Sequence, residues 1–185
     1  MAAVFQLRQA ARILHAGGVI AYPTEAVFGL GCDPAAEEAL LRILAIKRRP
    51  AAAGFILIAA AWEQLDGWIA PTRAQRRRLV APAPQPVSWV VRAGPLCTPL
   101  LTGDRPTLAV RITRHPVAAA LCMIAQMPLV STSANRHGRP PARTALAARR
   151  HLGASVDLVV GGATGGARRP SEIRDAATGA VLRHG

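Results

Sequence analysis

Short apolar runs alternate along this chain with stretches of helical periodicity, and nearly every run ends in a Gly-, Pro- or Ser-rich turn. Gly18–Tyr22 (GVIAY), Gly54–Ala59 (GFILIA), Val87–Val91, Thr107–Ile112 (TLAVRI), Pro128–Ser131 and Val156–Val160 read as strands. Ser171–Arg174 and Ala180–Arg183 read as two short closing strands, turned at Thr178-Gly179. Val4, Leu7, Ala11 and Leu14 recur at helical spacing, which predicts a helix over Val4–His15. Asp33 as N-cap and Pro34 at the first helical position predict a second helix running to about Ile46, with Leu40, Leu41 and Leu44 as its buried stripe. Trp62–Ile69, Pro71–Val80, Arg114–Gln126 and Arg143–Leu152 complete the helices. Pro23–Gly31, Pro82–Pro86, Ser133–Pro141 and Gly161–Pro170 are expected as loops. This alternation predicts an α/β fold with a mixed, twisted sheet.

A chain of 185 residues fits one domain, and an apolar share of 51% is enough for a proper core. Aromatic residues make up only 4%, while alanine occurs 38 times, so the core is expected to be small-residue and tightly packed. No apolar run reaches the roughly 18–20 residues that span a bilayer. Residues Met1–Ala16 carry Arg8 and Arg12 inside an amphipathic pattern and lack the order of a signal peptide. A cytoplasmic location with no membrane partner is therefore expected. Cys32, Cys97 and Cys122 have no paired spacing, which argues against a disulfide framework or a zinc site.

Lys plus Arg outnumber Asp plus Glu by 23 to 10, a net charge of +13 that favours a polyanionic partner. Twenty-two of the basic residues are Arg and one is Lys47, a bias that reads as compositional drift, with most arginines serving solubility. The surviving lysine is correspondingly informative. Asn135 and Tyr22 are likewise the single Asn and the single Tyr.

Five segments can carry chemistry. Tyr22-Pro-Thr-Glu25 follows a strand directly, where open α/β sheets bind ligands, although ordinary turn chemistry also accounts for Thr24 and Glu25. Lys47-Arg48-Arg49-Pro50 ends a helix: its cations suit the helix dipole, or they clamp phosphate, with Lys as point charge and Arg as planar fork. Ser131-Thr-Ser-Ala-Asn135 puts three hydroxyls and an amide behind a strand, as an Asx/Ser turn or as a ligand-facing rim. Arg111, alone in an apolar strand, reaches solvent or binds an anion. Gly161–Arg169, with four glycines and two arginines, could close over an anionic ligand as a lid. Neither GxxxxGK[ST] nor GxGxxG occurs, so a P-loop NTPase or Rossmann oxidoreductase has no support. His15, His151 and His184 sit at element ends, and no histidine pairs with a Ser or Cys in a recognisable nucleophile context.

Taken in order, PTEAVFGLG, KRRP, TLAVRITRHP, STSAN and PSEIRDAATGAVLRHG resemble the YrdC/TsaC family, the threonylcarbamoyl-AMP synthases, over nearly the whole chain. Each motif alone is weak; the ordered set is specific. The resemblance implies one YrdC-like domain over residues 4–185, in the short bacterial form, with a twisted mixed sheet, flanking helices and a deep basic cleft. It implies that L-threonine, bicarbonate and ATP are joined to give threonylcarbamoyl-AMP and pyrophosphate. A partner complex then transfers the threonylcarbamoyl group to position 37 of tRNAs that read ANN codons. Magnesium accompanies ATP in the family. The family's Lys-x-Arg and Ser-x-Asn tetrad falls on Lys47, Arg49, Ser133 and Asn135, which would hold the phosphates and the adenylate. Thr24 and Glu25 would line the threonine end, and Arg111 would pair with the threonine carboxylate, assisted by Ser131 and Ser171. Thr107 and Arg183 fall where the family contacts nucleotide.

The chain departs from the family pattern at Ala26, where many relatives have Thr, and at Gln85, which replaces the glycine of a Pro-Gly-Pro loop. Two other functions compete. An RNA-binding module without catalysis is suggested by the charge and by the clusters Arg73/Arg76/Arg77/Arg78 and Arg136/Arg139/Arg143, although few aromatics disfavour base stacking. A carbamoyl-adenylating domain of the hydrogenase-maturation type shares the fold, but in a much longer chain.

Overall fold

The structure is a computed structural model, and it describes residues 2–136, 138–167 and 169–185. Among the described residues six helices and nine strands run in the order α1 (Ala2–His15), β1 (Ile20–Pro23), β2 (Phe28–Gly31), α2 (Glu37–Lys47), β3 (Ile56–Ala59), α3 (Arg73–Val80), β4 (Val87–Arg92), α4 (Pro99–Thr102), β5 (Thr107–Ile112), α5 (Pro116–Ala125), β6 (Leu129–Ser133), α6 (Ala145–Leu152), β7 (Leu158–Val159), β8 (Glu172–Asp175) and β9 (Val181–Arg183). Short 3₁₀ turns at Ala51–Ala53, Trp62–Leu65 and Gly153–Ser155 join them. The strands form one mixed sheet in the order β7-β1-β2-β6-β3-β5-β4-β8-β9. Pairs β1/β7, β3/β5 and β4/β8 are parallel, and the remaining pairs are antiparallel. The α/β class expected from the alternation is the class observed.

The register builds the site. In β5 the side chains alternate: Leu108 and Val110 are buried in the core of one face, while Thr107, Ala109 and Arg111 turn to the other. Each of the two core residues contributes about 2 kcal/mol by burial. Ser131, Ile56, Ala109 and Val90 are register partners across β6, β3, β5 and β4, and they lie in one row on that second face. Helices α1 and α5 cover the part of this face around Ile20, Tyr22, Ile58 and Leu129. The stretch carrying Ser131, Ile56, Ala109 and Val90 is left uncovered and becomes the floor of a cleft.

Several boundaries differ from the sequence reading. Phe28–Gly31, expected within a loop, is strand β2, paired to both β1 and β6. The two glycines that suggested a turn instead permit close strand packing: a Cβ on Gly31 would meet the Val130 carbonyl at 2.5 Å and the Tyr22 ring at 2.7 Å. The cap of helix α2 lies three residues later than expected. Asp33 closes a local turn, its Oδ1 accepting from the Ala35 N–H at 2.8 Å, and the N-cap is Ala36. Ile43 joins Leu40 and Leu44 in the buried stripe, while Leu41 is half exposed. Val4, expected on the buried face of α1, is also half exposed. Arg114 precedes α5, whose cap is His115 with Pro116 at the first position. Helix α4, capped by Thr98, went unpredicted; it is a single turn.

Candidate active site

The uncovered sheet face floors a cleft of about 800 Å³. Ten of the eleven residues nominated from the sequence line it: Thr24, Glu25, Lys47, Arg49, Thr107, Arg111, Ser131, Ser133, Ser171 and Arg183. Asn135 does not line it. Arg105 and His184 do, and neither was nominated. Among the described residues, five Lys or Arg side chains meet one carboxylate here, that of Glu25. Such a site is built for an anion.

The Lys-Arg-Arg-Pro segment explains how two neighbouring cations reach the same space. Helix α2 ends in a left-handed residue, Arg48 (φ 50°, ψ 48°), with the Arg48 N–H donating to the Ala45 carbonyl and the Arg49 N–H to the Leu44 carbonyl. The reversal leaves Arg48 exposed and turns Lys47 and Arg49 inward. Lys47 is 6% exposed. Its Nζ donates to Ser133 O at 2.5 Å, Asn135 Oδ1 at 2.9 Å and Asn135 O at 3.1 Å, with Ser133 Oγ at 3.3 Å. Asn135 is committed within this group: Oδ1 also accepts from Ser133 Oγ at 2.6 Å, and Nδ2 donates to Arg139 O at 2.6 Å. It therefore acts on the cleft through Lys47 and Ser133.

No ion pair among the described residues includes Lys47, Arg49, Arg105 or Arg183. Burial, and then the nearby Arg49 guanidinium, bring the Lys47 ammonium down to about 8. Arg49 donates to Ala53 O at 3.0 Å and to Thr132 Oγ1 at 3.4 Å; burial, followed by Arg105 and Arg183, also lowers its pKa. Arg105 donates to the same Ala53 carbonyl at 2.8 Å. The turn that presents this carbonyl passes through Gly54 at φ +59°, where a Cβ would meet the Thr102 carbonyl at 2.6 Å.

The other end of the cleft is organised around charge pairing. Arg111 Nη2 lies 3.2 Å from Glu25 Oε2, and both side chains are largely buried. The pair lacks hydrogen-bond geometry, and Glu25 Oε2 and Arg111 Nε are both buried with no hydrogen-bond partner among the described residues. Thr113 Oγ1 donates to Glu25 Oε1 at 2.7 Å. Burial works against the Glu25 charge, but Arg111 and Thr113 outweigh it and hold the carboxyl below its ordinary range. Ser88 and Ser171 share a hydrogen bond at 3.0 Å, and Arg183 donates to Ser171 O at 3.3 Å. The Thr24 hydroxyl is spent on the Val27 carbonyl at 2.7 Å, so Thr24 presents its buried methyl side to Gly29.

The departures from the family pattern are accommodated. Ala26 is buried against the cleft. Gln85 is not among the residues with positive φ, so its backbone carries no strain that a glycine would relieve. The Gly161–Arg169 loop is tied down: the Gly165 N–H donates to Thr24 O at 3.0 Å and the Ala167 N–H to Glu25 O at 2.9 Å. Arg168 of this loop lies outside the described residues.

The Sua5/YciO/YrdC family model, described as "Telomere recombination", matches residues 12–185. Threonylcarbamoyl-AMP synthase of Nitrosococcus oceani is 53% identical over 180 residues, 97% of each chain. The protein of the same name from Escherichia coli O6:H1 is 52% identical over 177 residues, covering 94% of this chain and 92% of the relative. P. abyssi Sua5 complexed with L-threonine superposes with a TM-score of 0.84 at 28% identity, over 92% of this chain and 51% of that one. The α/β fold is shared with a Sua5 protein, and the chain belongs to the Sua5/YciO/YrdC family. Within the family it stands with the threonylcarbamoyl-AMP synthases, to which it is about half identical along nearly its whole length.

Proposed function

We propose that this cleft joins L-threonine, bicarbonate and ATP to give threonylcarbamoyl-AMP, releasing pyrophosphate and water, as the activating step of threonylcarbamoyladenosine formation at position 37 of ANN-decoding tRNAs. The observation that carries the reading is the buried Lys47 ammonium, held by four neutral oxygens and lacking a carboxylate partner among the described residues. A buried cation so placed is costly alone and favourable beside a phosphate.

In this reading Lys47 and Arg49 neutralise the charge that builds on the α-phosphate and the leaving pyrophosphate. Ser133 and Asn135 fix the direction of the Lys47 Nζ. Thr107 and Arg183 line the nucleotide side of the cleft. Arg111, with its unpartnered Nε, takes the threonine carboxylate, and Glu25 is the group that faces the ammonium. Ser131 and Ser171 complete this end. The ammonium first releases a proton to solvent, and the amine then gains the carboxyl group of bicarbonate with loss of water. The new carbamate oxygen then attacks the α-phosphorus and displaces pyrophosphate. Carbamylated threonine is short-lived in water, so enclosing it beside the α-phosphate supplies proximity and protection, and no covalent enzyme intermediate is needed.

Magnesium enters this reading only with the nucleotide. No group of three or more His, Cys, Asp or Glu side chains among the described residues could hold a metal ion, and the cleft's carboxylate is engaged by Thr113 and Arg111. The described residues offer no metal cage, and no step above depends on one.

Two observations weaken the RNA-platform reading. Arg76 stacks over Trp62 at 4.6 Å, and Arg78 donates to the Ala176 and Ala177 carbonyls, so two of the four arginines of α3 serve the fold. No helix among the described residues is long and apolar enough to cross a membrane.

The test is production of AMP and pyrophosphate from ATP, with and without L-threonine and bicarbonate, for wild type and Lys47→Ala. Production that needs both co-substrates and collapses in the variant is expected. Threonine-independent turnover, or none, would sink the proposal.

A further inference from the structure

His115 is 5% exposed, sits outside the anion-binding groups and has both ring nitrogens engaged. Nδ1 accepts from the Ala118 N–H at 3.4 Å, which caps α5. That contact leaves Nδ1 unprotonated and puts the hydrogen on Nε2, which donates to the Ala163 carbonyl at 3.0 Å. Ala163 belongs to the glycine-rich segment that also grips the Thr24 and Glu25 backbone through the Gly165 and Ala167 N–H groups. Two residues earlier, the Thr113 hydroxyl accepts from the His115 N–H at 3.2 Å and gives its own proton to Glu25 Oε1 at 2.7 Å.

Glu25 is thus held from two directions by one short segment. Thr113 reaches its carboxylate directly. His115 reaches its main chain by way of residues 163–167. The segment fits closely there: a Cβ on Gly165 would lie 3.1 Å from the Glu25 backbone, and one on Gly162 would lie 3.1 Å from Pro23. Since Glu25 Oε2 faces Arg111, any shift of this carboxylate moves the charge against which Arg111 is balanced.

We propose that Thr113 and His115 are positioning residues for the amino-acid end of the cleft: together they set the Glu25 carboxylate, and through it the Arg111 guanidinium, in the orientation that receives a zwitterionic amino acid. The assignment rests on the reading of that end as the threonine site. Neither residue lines the cleft, so both act on substrate binding through Glu25 and leave phosphate chemistry alone.

The experiment compares wild type with Thr113→Val, Thr113→Ser and His115→Asn, each first checked for a wild-type circular dichroism spectrum and a cooperative melt. Asparagine can still cap α5 but is too short to reach Ala163. Steady-state kinetics are expected to show KM for L-threonine raised about tenfold in Thr113→Val, the loss of one hydrogen bond to a charged group. kcat and KM for ATP should stay within about twofold of wild type, on the same reasoning. Thr113→Ser, which keeps the hydroxyl, should restore threonine binding. His115→Asn should raise the same KM and speed amide exchange at Gly165 and Ala167. Unchanged threonine KM in folded Thr113→Val and His115→Asn, or equal losses for threonine and ATP, would overturn the proposal. If wild type itself shows no threonine-dependent turnover, the reading of the site has failed; exchange at Gly165 and Ala167 then decides the brace, and unaltered exchange in His115→Asn refutes it.

Discussion

At one end of the cleft Lys47 gives its ammonium to four neutral oxygens of Ser133 and Asn135; at the other, Arg111 faces the carboxylate of Glu25. Both cations are buried, yet only one is compensated. Neutral acceptors orient a charge without cancelling it, so the Lys47 end keeps its full attraction for a polyanion. An internal ion pair cancels most of the field and leaves a local dipole, which suits a ligand carrying one charge of each sign. On the proposed reading the two ends would divide recognition between a multiply charged nucleotide and a zwitterion, with no acid–base dyad required of either.

The largest expected effect comes from breaking the uncompensated end. Lys47→Ala should lower kcat by on the order of 10³, as removal of a charge-stabilising donor does elsewhere. Arg111→Lys keeps the charge but loses the planar fork, and should act mainly on KM for threonine, by about tenfold. Initial rates over both substrates check the split, and a shared loss of kcat would show that the two ends are not separate. Comparable in size is Asn135→Ala, about tenfold in kcat/KM from loss of a hydrogen bond to a charged group. Because Asn135 acts through Lys47, the double variant Lys47→Ala/Asn135→Ala should be no slower than Lys47→Ala alone; additive losses would give Asn135 its own contact with substrate.

Acidity sharpens the comparison further. With Lys47 near 8, kcat/KM for ATP should fall above about pH 8 as the free enzyme loses that proton, and the limb should vanish in Lys47→Arg. Stability moves the opposite way. Between about 8 and the ordinary value of 10.5 the unfolded chain holds a proton that the native one does not, so native stability rises with pH across that window. The difference in denaturant stability between wild type and Lys47→Met, followed across the window, isolates this contribution. Glu25 has the same sign of slope in an acidic window: its lowered pKa stabilises the native state above the ordinary carboxyl value of 4.5, and this is lost as pH falls through the native value. The smallest effect is expected at Arg48. Arg48→Gly relieves a left-handed, exposed residue and should stabilise by up to about 1 kcal/mol, read by urea unfolding, with little change in turnover.

Much of this was legible in the chain. Lys47, Arg49 and Ser133 stand out because their segments concentrate rare or polar residues at the ends of periodic elements, and Arg111 because charge interrupts an apolar strand. The alternation within TLAVRI shows which side chains share a face. What was not legible depends on partners remote in sequence. Thr113 meets Glu25 across 88 positions, and His115 meets Ala163 across 48. A histidine beside a proline reads as an ordinary helix start until the loop it holds is in view. Arg105 was hidden for the same reason, because its place beside Arg49 depends on the carbonyl of Ala53. Strand β2 was missed because glycine signals turns and close backbone approach alike, and only the neighbouring strands decide between them.

The left-handed end of α2 has a consequence for how this chain can vary in length. Lys47 is the last residue of an eleven-residue helix whose buried side is pinned by Leu40, Ile43 and Leu44. Adding or removing one residue between that stripe and Lys47 would swing the lysine by about 100° and shift it by about 1.5 Å. The ammonium would leave its four oxygens and Arg49 would turn with it. The helix thus serves as a ruler for where the Lys47 ammonium falls.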